Sequence, residues 1–152
     1  MAVKTTAGTT LKISAGVPAT FNQAGYAALT YTTVGEITDL GEFGRVYDLV
    51  THNPIDTRGT VKIKGSFNEG SLALQLGLDT DDAGQIIMKA ATISDNNYAF
   101  KITDQKGDIY YFQAQVMQFK VGLGSVNQVS KASATLELTT SSTGVGVVEV
   151  LI

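Results

Sequence analysis

Lys131-Ala132-Ser133-Ala134-Thr135-Leu136-Glu137-Leu138-Thr139-Thr140 alternates without a break, with Ala132, Ala134, Leu136 and Leu138 on one parity and Ser133, Thr135, Glu137 and Thr139 on the other. A period of two with one apolar and one polar face is the pattern of a half-buried β-strand. Upstream, Ile109 to Val121 reads as a longer strand whose apolar parity starts on Tyr110, Phe112, Ala114 and Val116 and continues on Met117, Phe119 and Val121. Such a switch means either a bulge near Val116 or burial on both faces. Tyr98, Phe100 and Ile102 alternate ahead of it, across the turn Asp104 to Asp108. Thr60 to Asn68 places Val61, Ile63 and Phe67 on one side and Lys62 and Lys64 on the other, and Asn68-Glu69-Gly70 turns the chain into Ser71 to Leu78. Val34 to Leu40, Val46 to Val50 and Val145 to Ile152 complete the strands.

One segment breaks the period. Residues 79–92 predict a helix, with Asp79 or Thr80 as cap, Asp81 and Asp82 in the first turn, and Ala83, Ile86, Ile87, Ala90 and Ala91 on one packing stripe. Residues 1–32, rich in Thr, Ala and Gly, read either as an N-terminal arm with a few apolar anchors or as an edge strand with turns. Residues 41–59 read as a long loop, because Gly41 and Gly44 break the first strand and Pro54 lacks a ladder donor. The 152 residues fit one domain, and many strands around one helix without a βαβ repeat predict a mainly β chain: an antiparallel sandwich or small barrel with one flanking α-helix.

Charged residues make up only 16% of the chain against about 25% in an ordinary soluble domain. A surface so short of charge fits either a secreted β domain or a chain covered by neighbouring subunits. The net charge of −3 and the scattered cations disfavour tight nucleic-acid binding. There is no Cys and one His, His52, so a zinc site would need an uncommon set of carboxylates. No serine stands in a nucleophile elbow, and Asp79, Asp81 and Asp82 lack the spacing of a calcium loop. No cofactor is expected, and an architectural role is favoured over an enzyme. The opening residues lack the apolar core of a signal peptide, and nowhere do eighteen apolar residues run together, so no membrane partner is expected.

The stretches Val34 to Gly44, Tyr47 to Pro54 and Thr57 to Leu72, with Asp82-Ala83-Gly84-Gln85 and Tyr110 to Met117, resemble the major tail tube proteins of long, flexible-tailed bacteriophages. The resemblance runs from about Ala19 to Leu138. It implies a sandwich subunit, six copies closing into a ring around one continuous inner barrel, and rings stacking into a hollow tube. It also implies a place in the virion tail, assembled in the host cytoplasm. The lumen would hold a tape measure protein and later conduct double-stranded DNA, with tail tip and tail terminator proteins at the ends. The resemblance brings no catalytic residues.

On that footing Gln113, Gln115, Ser133 and Thr135, uncharged and opposite the core parity, are expected to face the lumen. Tyr47, Asp48, Leu49, Val50, His52, Pro54, Asp56 and Arg58 are expected to contact the next ring. The rival readings are a carbohydrate-binding or adhesive β-sandwich, which would group aromatics on an exposed face, and a tube subunit of a type VI secretion-like system.

Overall fold

The computed structural model describes residues 3–152. Among these residues ten strands form two antiparallel sheets. The main sheet runs in the order β2 (Thr32–Val34), β1 (Thr10–Ser14), β7 (Tyr98–Thr103), β8 (Ile109–Gly122), β9 (Lys131–Thr139), β6 (Ser71–Gly77), β3 (Ile37–Asp39), with β10 (Val148–Val150) added alongside the start of β8. The second sheet is a pair, β4 (Val46–His52) and β5 (Val61–Asn68). Two short helices, α1 (Gln23–Ala27) and α2 (Ala83–Ala91), replace the single helix expected.

The two end strands, β2 and β3, are neighbours in sequence, so the sheet is rolled and the chain itself, not a hydrogen-bonded ladder, links its edges. The expected single strand from Val34 to Leu40 is two strands, broken at Gly35 and Glu36. Glu36 has φ 62°, and the chain crosses there from one sheet edge to the other. Inside this rolled sheet Leu11, Ile13, Leu72, Leu74, Leu76, Phe100, Phe112 and Leu136 are buried together. The expected change of parity in β8 is a bulge, since Val116 pairs with Leu136 but Gln118 with Thr135.

Residues 10–14 of the expected arm form a strand paired on both sides, with Leu11 and Ile13 fully buried. Met1 and Ala2 of that arm lie outside the described residues. Alternation over only five residues, amid Thr and Gly, was too short a signal to mark a core strand.

Helix α2 covers the Gly35 corner. Its N-cap is Asp82, not Asp79 or Thr80; the Asp82 carboxylate accepts from the Gln85 N–H and also from the Gly35 N–H, both at 3.0 Å. The stripe is also rotated from the one expected. Gly84, Gln85, Met88 and Ala91 are buried, Ile87 packs half-buried on the core, and Ala83, Ile86 and Ala90 are exposed. Two features fix that rotation. A Cβ on Gly84 would meet the Thr33 carbonyl oxygen at 2.3 Å, so glycine lets the helix touch β2. Gln85 is only 3% exposed, yet its amide donates to the Gly35 and Gly77 carbonyls and accepts from the Asp79 N–H, so its burial leaves no polar atom unpaired. Among the described residues no helix is long and apolar enough to cross a membrane.

Candidate assembly surfaces

Three strands of the main sheet, β6, β9 and the second half of β8, show their non-core face in register. Ser71, Glu137 and Gln115 form one cross-strand row; Ala73, Thr135 and Gln118 the next; Gln75, Ser133 and Lys120 a third. All nine are exposed or half-buried, and with the next row, Gly77, Lys131 and Gly122, the face carries one acid, Glu137, and two bases, Lys120 and Lys131. Of the residues expected at the lumen, Gln115, Ser133 and Thr135 meet on this face. Gln113 shares the parity but is 3% exposed, and so is corrected: it lies between Ala99 and Thr139, where the second apolar cluster of Tyr26, Ala99 and Tyr111 covers that end of the sheet.

The same strands carry a free edge. Strand β7 pairs with β8 only as far as Ala114, so from Gln115 to Gly122 β8 is bonded to β9 along one side and, among the described residues, to no strand on the other. On the opposite flank β3 pairs with β6 only at Gln75 and Leu76. Backbone donors and acceptors of an unpaired edge are a template for another strand.

Within the expected loop from Gly41 to Gly59, the short strand expected at Val46 to Val50 is present and runs on to His52. Val46 to His52 pairs with β5 over its whole length, and every residue of β4 is exposed. Asn53 to Thr60 make the tip, which the notched turn at Pro54 and the positive φ of Arg58, 61°, close. A bulge in β5 opposite Asp48 moves Phe67 from the side of Val61 and Ile63 to that of Lys62 and Lys64, so Phe67 faces Tyr47 with ring centres 5.6 Å apart. Tyr47, Leu49 and Thr51 thus share one face with both lysines. Asp48, Val50 and His52 share the other with Ile63 and Val61, and Asp48 accepts from the Ser66 hydroxyl. Asp56 and Ile55 are exposed at the tip.

What anchors this hairpin escaped the sequence reading. Arg45, at its root, holds the buried Glu69 carboxylate with Nη2 at 2.7 Å and Nε at 2.9 Å, and stacks 3.9 Å above the Phe67 ring. Hydrogen bonds to the Tyr47 hydroxyl and to Glu69 raise the Arg45 pKa further and fix its charge. A lone Arg and a lone Glu 24 residues apart give no spacing signal; only the β5 to β6 turn brings them together.

No chemistry assembles around His52, which is exposed on β4 opposite Val61. Among the described residues no group of three His, Cys, Asp or Glu is placed to hold a metal ion. Tyr98, Phe100, Tyr110, Phe112 and Phe119 are buried or half-buried, and no aromatic platform of the kind a glycan binder presents forms from them.

No family model and no curated protein matches the sequence. Solved structures do. A chain of an extracellular contractile injection system, from its sheath and tube terminator in the extended state, superposes with TM-score 0.66 at 9% identity over 99% of both chains. A chain of the tail of an empty gene transfer agent particle with C6 symmetry gives 0.62 at 10%, over 86% of this chain and 92% of that one. The SPP1 tail tube gives 0.57 at 15%, over 93% and 75%. This is the fold of tail and injection-system chains. It is broader than the flexible-tailed phages that the sequence resembles, because contractile systems and gene transfer agents share it equally. At these identities the likeness establishes the fold alone.

Proposed function

We propose that this chain is the ring-forming tube subunit of a phage tail or of a related injection apparatus. The observation that carries the reading is the polar three-strand face ending in the free β8 edge. Pairing that edge with the β3 and β6 flank of a second copy would continue the polar face from subunit to subunit and cover the β8 edge that is open in the single copy. Cyclic closure then sets the number of copies, and six is the number supported by the C6 symmetry of the gene transfer agent tail and by the sequence resemblance. Gln115, Ser133 and Thr135 would line the lumen. A wall with two Lys and one Glu per subunit among uncharged polar residues carries little net charge, which suits a conduit for double-stranded DNA that first holds a tape measure protein. The β4–β5 hairpin is the element proposed to meet the next ring. Tail tip and terminator proteins would bound the stack.

Negative-stain microscopy of the concentrated protein, alone and with its tail-tip components, tests the reading. Rings or tubes with a central channel are expected. A compact monomer under both conditions would reject it. Replacing Asp48 to Arg58 by a short Gly-Ser linker should keep cooperative unfolding yet abolish stacking.

A further inference from the structure

Deleting one residue would make β8 regular. Tyr110, Phe112, Ala114 and Val116 hold the core parity, Met117 is inserted, and the alternation resumes with Gln118 on the polar face and Phe119 and Val121 on the core side. The ladder to β9 shows the same insertion. Val116 pairs with Leu136 and Gln118 with Thr135, so two steps along β8 match one step along β9. Met117 is 59% exposed and belongs to neither apolar cluster of the core.

The other ladders of the sheet do not call for this extra residue. Strand β9 pairs with β6 through seven unbroken steps, from Ser71 with Glu137 to Gly77 with Lys131. The pairing of β8 with β7 has already ended at Ala114, where the chain ahead of β7 leaves the sheet and the Asp95 carbonyl accepts from the Gln115 side-chain amide at 3.2 Å. The bulge therefore lies beyond the last β7 contact, in the half of β8 whose outer side is open, and its effect falls on the direction of that edge.

A bulge bends its strand and increases the local twist, and at a defined position it gives a sheet the curvature that closes a barrel. In a ring whose inner wall is one continuous sheet, the β8 edge sets the direction in which the next copy is laid down. The ring closes when the turns from copy to copy sum to a full circle. We infer that the bulge at Met117 sets the turn from each copy to the next, and with it the number of copies in a ring. This rests on the tube reading and adds to it the element that decides ring size. The extra backbone residue is what matters, and the methionine side chain is secondary. Without the bulge the edge runs straighter, each copy turns less, and more copies are needed to close.

Two variants separate backbone from side chain. Deletion of Met117 removes the bulge and keeps Phe119 and Val121 on the core parity, whereas Met117→Gln keeps the bulge and changes only the side chain. Copy number is read from the rotational symmetry of ring images and from the mass of the intact ring. Met117→Gln is expected to keep the wild-type number, and the deletion to give rings of more copies or open ribbons that do not close. Deletion rings with the wild-type number overturn the inference and leave the tube reading intact. A shift by Met117→Gln as large as that of the deletion also overturns it. If the shortened chain does not unfold cooperatively, or does not assemble, Met117→Gly decides. It keeps the register, frees the backbone at the bulge and should yield a mixture of ring sizes; a single ring size equal to the wild type overturns the inference. If the wild-type chain forms neither rings nor tubes, the tube reading fails and the role of the bulge falls with it.

Discussion

Gly84 is the residue where two physical effects compete most directly. Alanine is the better helix former by about 1 kcal/mol, which would make Gly84→Ala stabilising on an open helix surface. Here the added carbon would meet the backbone of Thr33 and Val34 at 2.3 and 2.5 Å, and backbone cannot step aside as a flexible side chain would. Overpacking of that kind costs about 1 to 3 kcal/mol, so Gly84→Ala is expected to lower stability in urea unfolding despite its propensity. The isoleucines beside it separate the two readings of the helix face. Ile87→Ala should cost about 2 kcal/mol, at the low end for a half-buried aliphatic, whereas Ile86→Ala should change the isolated subunit by less than about 0.5 kcal/mol. Equal losses at both positions in denaturant melts would mean that the helix is rotated from the orientation described.

At the scale of the element, the hairpin depends on its root. A two-stranded ribbon is marginal by itself in water, and β4 and β5 gain little from burial because nearly all of their residues are exposed. Arg45 offsets this by binding the buried Glu69 and covering the Phe67 ring. Its replacement by Met keeps the ring covered but leaves the Glu69 carboxylate buried without its ion partner, a costly arrangement. Arg45→Met is therefore expected to speed amide exchange in Val46 to Val50 several-fold, while exchange in β8 and β9 stays near its wild-type rate. Uniform loss of protection across both sheets would show that the pair supports the body and not the hairpin.

For the molecule as a whole, one charge cluster joins distant parts of the sequence. Lys4 lies 2.9 Å from Asp104 and 3.2 Å from Asp108, and the Asp108 carboxylate also accepts from the Ile152 N–H at 2.9 Å. The Ile152 amide is the main cause holding the Asp108 pKa down, against its burial and with help from Lys4. Burial pushes Asp104 up, but the Lys4 ammonium and the Asp108 and Gly107 amides outweigh it and lower its pKa. Carboxylates depressed on folding contribute stability that is complete above about pH 4 and is lost as pH falls through their folded values. Lys4, raised mainly by its hydrogen bond to Asp104, contributes below about pH 10 and loses that contribution as pH climbs through its raised value. The urea midpoint should accordingly be flat with respect to this cluster between those limits and fall on both sides. Asp108→Asn should reduce the acid-side fall, and an unchanged acid limb would exclude the cluster as its source.

The sequence alone determined the strands whose side chains alternate over many residues, Ile109 to Val121 and Lys131 to Thr140, because burial of one face imposes a period that survives in the residue order. It marked the helix through 83–91 and the turn at Asn68 to Gly70 by the same local rules, and it placed Gln115, Ser133 and Thr135 on one face. Tertiary structure decided whatever depended on partners remote in sequence. Strand β1 is in the core because β2 and β7 flank it, and Gln113 is buried because α1 and β10 pack nearby. Phe67 changes sides because one bulge opposite Asp48 shifts the register, and the face of α2 is set by a glycine contact and by a glutamine whose acceptors are 8 and 50 residues away. Local patterning fixes which elements form; the choice of face, edge and neighbour follows from packing and hydrogen-bond satisfaction, which exist only once the chain has closed.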